Sequence, residues 1–136
     1  MNADVVARTR EWHAERAEMV LDAWNRQDVA AVVACYTEDL QYRDPNTRGV
    51  IQGREAFARY LTRLFDGWQM HWALREDPYT LSDVHGSSVL WRATLQKKGG
   101  TDVVTIDGMD LALLDGELVK RNDVYYDRVP VLPLMT

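Results

Sequence analysis

"NRQDVAAVVACYTEDLQYRDPNTRGVIQGREAFARYL", Asn25 to Leu61, switches between helical and strand periodicity, and its order of elements sets the fold. Asp28 can accept hydrogen bonds from the first free N–H groups of a helix. Val29, Val32, Val33 and Tyr36 then recur at i, i+3, i+4 and i+7, the inner stripe of that helix. "LQYRD", Leu40 to Asp44, reads as a short strand that ends directly before Pro45. The loop "PNTRGVIQG" leads to a third helix, in which Phe57, Tyr60, Leu61, Leu64 and Phe65 share one face.

Upstream, Val5, Trp12, Met19, Val20, Ala23 and Trp24 predict one long amphipathic helix ending near Asn25–Gln27. Downstream, four segments rich in β-branched and aromatic residues predict strands: Gly67 to Arg75, Ser87 to Lys98, Asp102 to Leu114 and Glu117 to Asp127. "EDPYTLSDVHG", "KGG" and "LDGEL" connect them. Asp115-Gly116 in the last is a dipeptide favoured where both central residues of a hairpin need positive φ. Three helices followed by hairpin-linked strands give an α+β fold, with the helices on one face of the sheet. With no repeat or linker, residues 1–136 are expected to form one domain. The tail "RVPVLPLMT" is apolar and broken by proline, so neither helix nor strand is expected. It should pack across a partner subunit or over a pocket mouth.

The 136 residues are 46% apolar and 27% charged, with a net charge of -5. No basic cluster exceeds "QKK" at Gln96–Lys98, which argues against nucleic acid and against an anionic membrane surface. Cys35 is the one cysteine, so an intramolecular disulfide is excluded, and its apolar neighbours predict a packed thiol. The first twenty residues are too charged for a signal peptide, and no apolar run approaches a membrane span, so a cytoplasmic location is expected. His13, His71 and His85 share no ligand spacing, so no metal is expected. Neither a phosphate loop, a dinucleotide fingerprint nor a "GxSxG" nucleophile is present, and no cofactor is expected.

Two carboxyls carry most of the chemical interest. Asp44 before Pro45 is either an Asx-type turn residue or an acid at a pocket mouth. Asp110, in "GMDLALLDG", lies mid-strand among apolar neighbours, where desolvation should raise its pKa. One carboxyl near solvent and one buried suit a base and an acid at a single pH. For Asp110 the other readings are a satisfied structural acid, bonded to a Trp N–H or a Tyr O–H, and a charge on the outer face of the sheet. Trp12, Trp24, Trp68, Trp72, Trp91, Tyr60, Tyr125 and Tyr126 supply flat surface either for a ring-containing ligand or for the core and a dimer interface.

The same segment, with its "Y/F-x-x-D" before the first strand, "D-P" after it and "G-R-E" opening the third helix, resembles the nuclear-transport-factor-2-like superfamily. "DGELVKRNDVYYD" is similar to that group's closing hairpin. SnoaL-like polyketide cyclases, ketosteroid isomerase and limonene-epoxide hydrolase belong to it. The resemblance implies a cone in which a curved, mixed or antiparallel sheet wraps three helices around an apolar pocket, commonly in a homodimer.

In ketosteroid isomerase an Asp in the same "D-P" context is the general base, and a protonated Asp donates to the oxyanion. Aligning the closing hairpins puts Asp110 on the latter, whereas the position of the isomerase's oxyanion tyrosine reads Val20. His71 matches a strand histidine used as base by dehydratases of this fold, although alternation leaves open whether it or Met70 and Trp72 face inward. Tyr42, Arg92 and Asp123 resemble parts of the epoxide-hydrolase site, in which Thr94 replaces one acid.

The resemblance thus implies a cofactor-independent enzyme moving protons on a small, apolar, ring-containing metabolite, of isomerase, cyclase or lyase type. Asp44 would be the base, Asp110 the acid and His71 an auxiliary. Tyr42, Tyr60, Trp91, Arg92, Asp123 and Tyr126 would contact substrate. Epoxide-hydrolase-type water addition and a non-catalytic binding or dimerisation module are the alternatives.

Overall fold

The computed structural model describes residues 8–135. Helix α1 (Arg10–Asn25) and the short α2 (Val29–Val33) lead into β1 (Tyr36–Arg43) and β2 (Ile51–Gln52). Helix α3 (Arg54–Gly67) then precedes β3 (Trp68–Leu74), β4 (Tyr79–Thr80), β5 (Gly86–Lys97), β6 (Val103–Asp115) and β7 (Leu118–Tyr126). The sheet order is β2-β1-β7-β6-β5-β3, with β4 on β5. β1 runs parallel to β7 and the other pairs are antiparallel, so the sheet is mixed. This is the expected α+β cone.

The capping predictions hold for α2: the Asp28 side chain accepts from the Ala31 N–H at 3.1 Å. Its length does not. Tyr36 opens β1 instead of closing α2, because its ring is fully buried against Phe57 across the sheet–helix interface. A packed aromatic outweighs the weak propensity of one helical turn. The first helix begins at Arg10 under a Thr9 cap, and the Val5 end predicted for it lies outside the described residues. Two segments read as loops hold the two-residue strands β2 and β4. The tail forms a 3-10 helix, Leu132–Met135, against the expectation of no helix.

On α3, Phe57, Leu61 and Phe65 are buried at i, i+4 and i+8. Each such side chain removed from water contributes about 1.5–3 kcal/mol before entropy is counted. The β6–β7 connection places Gly116 and Glu117 between the paired Asp115 and Leu118. Of these two, only Gly116 has positive φ, at 60°. That is the II′ pattern, one residue later than the dipeptide the sequence suggested.

β3 is an edge strand, and its open backbone is covered by side chains from the last residue of α1 and the turn after it. Asn25 accepts from the Trp72 N–H at 2.7 Å and donates to the Trp72 carbonyl at 2.9 Å. Gln27, at φ 50°, accepts from the Met70 N–H at 2.8 Å and donates to the Trp68 carbonyl at 2.9 Å. Two amides therefore stand in for a neighbouring strand and protect the edge from pairing with another chain. They also fix the register of Trp68, Met70 and Trp72, which face inward.

Candidate active site

The helices and the concave sheet face enclose a cavity of about 530 Å³, lined mainly by Trp24, Trp68, Met70, Trp72, Trp91, Ala93, Ile106 and Val124. Its polar groups come from one loop and one turn of α3: Asp44, Asn46, Thr47 and Arg48 from the first, Tyr60 and Arg63 from the second. Tyr42 and Tyr126 complete this end, and Val131 and Met135 of the tail form part of the wall.

Asp44 satisfies both of its sequence readings at once. Its Oδ1 accepts from the Asn46 N–H at 2.7 Å, and its carbonyl accepts from the Thr47 N–H at 3.2 Å, which is an Asx turn. Its Oδ2 projects into the cavity and accepts from the Tyr42 hydroxyl at 2.8 Å and from the Tyr60 hydroxyl. The turn supplies the rigidity that the pocket acid needs. Burial, and then the Asp44 charge, push the Tyr42 and Tyr60 hydroxyls far up, so both stay protonated donors. Burial likewise pushes Tyr126 up to about 12. Its hydroxyl accepts from the Asn46 side chain and does not touch Asp44.

Asp110 lies on the same concave face but in a second, smaller cavity of about 40 Å³, together with Val20, His13, Arg16 and Asn122. Trp24 and Tyr36 stand between the two spaces and are linked by hydrogen bonds to the acid. The Trp24 indole N–H donates to the Tyr36 hydroxyl at 3.4 Å and Tyr36 donates to Asn122 Oδ1 at 2.9 Å. Asn122 then donates to Asp110 Oδ2 at 2.6 Å. Burial raises the Asp110 pKa to about 7, against the lowering effect of the Asn122 bond. Asp44 and Asp110 are therefore not brought into one enclosure. Val20 and Asp110, which the resemblance aligned with the isomerase's two oxyanion donors, do share one.

The remaining sequence candidates divide by strand face. Tyr42, Tyr60, Trp91 and Tyr126 line the large cavity. His71 does not: alternation on β3 buries Met70 and exposes His71 on the outer face opposite Thr94. Arg92 also points outward, where it pairs with Asp107 at 2.8 Å. Asp123 is buried, yet on the outer side, under Arg121 at 2.8 Å and Arg43 at 3.5 Å. The Tyr42–Arg92–Asp123 grouping is thus not assembled, because alternate residues of a strand face opposite sides. Arg48 and Arg63 were not singled out in the sequence. Arg63, three residues after Tyr60 beside the apolar stripe of α3, carried the one available signal.

The SnoaL-like domain family matches residues 17–122, which include every element from most of α1 to Asn122 of β7. The chain belongs to the SnoaL-like domain family. Among solved structures, a hypothetical protein with a ketosteroid isomerase-like fold from Catenulispora acidiphila, in complex with trimethylamine, aligns with TM-score 0.78. It is 19% identical over 88% of this chain and 91% of that one. A putative isomerase from Bacillus subtilis reaches TM-score 0.82 at 10% identity, over 94% of this chain and 96% of that one. A putative polyketide cyclase from Pseudomonas putida aligns at 0.76 with 15% identity, over 94% and 98%. At these identities the shared property is the fold. No curated protein matches this SnoaL-like chain. Among the described residues no helix is long and apolar enough to cross a membrane, and no group of His, Cys, Asp or Glu is arranged to hold a metal ion.

Proposed function

We propose that this SnoaL-like domain is a cofactor-independent enzyme that moves a proton on a small, ring-containing metabolite, in an isomerase- or cyclase-type reaction. One observation carries the reading: a carboxylate oxygen, Asp44 Oδ2, is presented to an aromatic-lined cavity with two protonated phenols on it. Asp44 would take a proton from carbon next to a carbonyl group. As the carboxylate becomes a neutral acid, the Tyr42 and Tyr60 hydroxyls lose their anionic partner and become available to the oxygen on which charge develops. The tryptophans would hold the ring flat and exclude water. Asp110, being outside this cavity, would act only through Asn122, Tyr36 and Trp24. The shared fold of the putative isomerase and the putative polyketide cyclase supports this class of chemistry.

A second reading, a non-catalytic binding module, is favoured by the hydrogen bonds on both Asp44 oxygens, which suit a structural acid. Deuterium exchange separates the two. A panel of cyclic ketones and β-keto ring compounds would be incubated with the protein in D₂O and followed by NMR. Exchange at the α-carbon by the wild type and not by Asp44→Asn is the expected result. Compounds that bind yet exchange no faster than in buffer would overturn the enzymatic reading.

A further inference from the structure

The large cavity has an unbalanced charge at its opening. Its lining contains three ionic side chains, Asp44, Arg48 and Arg63, in a protein whose net charge is -5. Asp44 is held by Tyr42, Tyr60 and the Asn46 N–H and pairs with neither arginine. Arg48 and Arg63 are exposed, as side chains at an opening are, and form no hydrogen bond, ion pair or ring contact.

Every other arginine among the described residues has a partner. Arg26 and Arg59 pair along their helices, and Arg43, Arg75, Arg92 and Arg121 hold Asp123 or Asp107. Arg10, Arg16 and Arg54 cap backbone carbonyls, while Arg8 lies over Trp12 and Arg128 contacts Met135.

Two unpaired guanidiniums on the lining of one apolar cavity gain nothing from ion pairing within the protein. They gain when a ligand brings an anion, because the guanidinium fork matches a carboxylate in two-point geometry. The overall negative charge would otherwise turn anionic ligands away, so a local cationic rim is what an acid-binding cavity needs here.

Resting on the reading of this cavity as the ligand site, we propose that its ligand is an anionic ring compound. The ring system lies against Trp24, Trp72 and Trp91, and a carboxylate at its edge is held by Arg48 and Arg63. This narrows the substrate class to ring-containing acids.

Two fluorescent probes of similar ring size test it: 1-anilinonaphthalene-8-sulfonate, which is anionic, and N-phenyl-1-naphthylamine, which is neutral. The indole N–H signals of the cavity tryptophans report by NMR whether each probe enters. In the Arg48→Ala/Arg63→Ala variant the Kd of the anionic probe should rise about tenfold, the sum of two modest ion pairs. The neutral probe should change less than about twofold on the same scale. Raising the salt should weaken the anionic probe in the wild type and much less in the variant.

An unchanged anionic Kd in the variant, or an equal loss for both probes, overturns the anion inference and leaves the cavity reading standing. If neither probe perturbs the indole signals of the wild type, the cavity does not take ring ligands and both readings fall.

Discussion

The benzene edge of the Trp91 indole fills the space above Gly108, its cross-strand partner. A Cβ at position 108 would lie 2.4 Å from Trp91 Cη2 and 2.6 Å from Cζ2. Trp91 is 3% exposed, forms one wall of the large cavity and stacks edge-on with Tyr126 at 6.1 Å. The absence of a side chain at 108 therefore sets how far the indole can withdraw from the cavity.

Gly108→Ala should push that indole toward the cavity. Overpacking of this kind costs about 1–3 kcal/mol, to be read from chemical denaturation. The near-UV circular dichroism of Trp91 should change and ring-sized probes should bind more weakly. A variant with wild-type stability and probe affinity would show that the indole is not confined by Gly108.

Tyr60→Phe removes a hydroxyl and leaves the ring in place. The lost bond to a charged acceptor should cost about 1.5–3 kcal/mol of stability. If Asp44 is the base, α-proton exchange should slow by about a hundredfold, the usual loss for one donor to a developing oxyanion. Tyr126→Phe is the control, since its hydroxyl meets Asn46 and not Asp44. Exchange rates of the two variants that fall together would remove Tyr60 from its assigned role.

The pH dependence follows from Asp110. In the unfolded chain its carboxyl ionises near 3.8, and in the folded protein burial raises that to about 7. The native state thus holds the proton more tightly, so this group reduces stability as the pH rises from about 4 to 7 and by a constant amount above. Asp110→Asn keeps an acceptor for the Asn122 amide and removes the titration. It should be more stable than the wild type by a few kcal/mol at pH 8, with the difference vanishing by pH 4. Parallel pH–stability curves for the two proteins would show that Asp110 does not titrate as described.

His13, on the same small cavity, works in the other direction. Burial and then the His85 charge lower its pKa, so its contribution is lost as the pH falls below 6.5. The difference between wild type and Asp110→Asn cancels this effect, which is why the comparison of the two curves, and not either alone, is the measurement.

Local periodicity and capping made the element order legible. The Asp28 cap, the one-sided stripe of Phe57, Leu61 and Phe65, and the alternation of β5 all require only neighbours along the chain. The same local chemistry placed a turn at Asp44-Pro45. Tyr42, Tyr60, Trp91 and Tyr126 were also identifiable as candidates, because aromatic side chains on the inner face of helices and strands have few places to go except a core or a cavity.

Which face each strand turns inward was decided by tertiary packing. One residue of register sends His71, Arg92 and Asp123 to the outer side and Met70, Trp91, Asn122 and Val124 to the concave side. The sequence specified the alternation but not its phase on β3, which the Asn25 and Gln27 amides lock from across the molecule. Packing likewise set Trp24 and Tyr36 between the two carboxyls, so that Asp44 and Asp110 face separate spaces. It made Arg48 of a loop and Arg63 of a helix part of the lining of one cavity. Short-range order is written in residue spacing; the partition of a cone into cavities depends on contacts between residues distant in the chain, and those exist only once the sheet has closed over the helices.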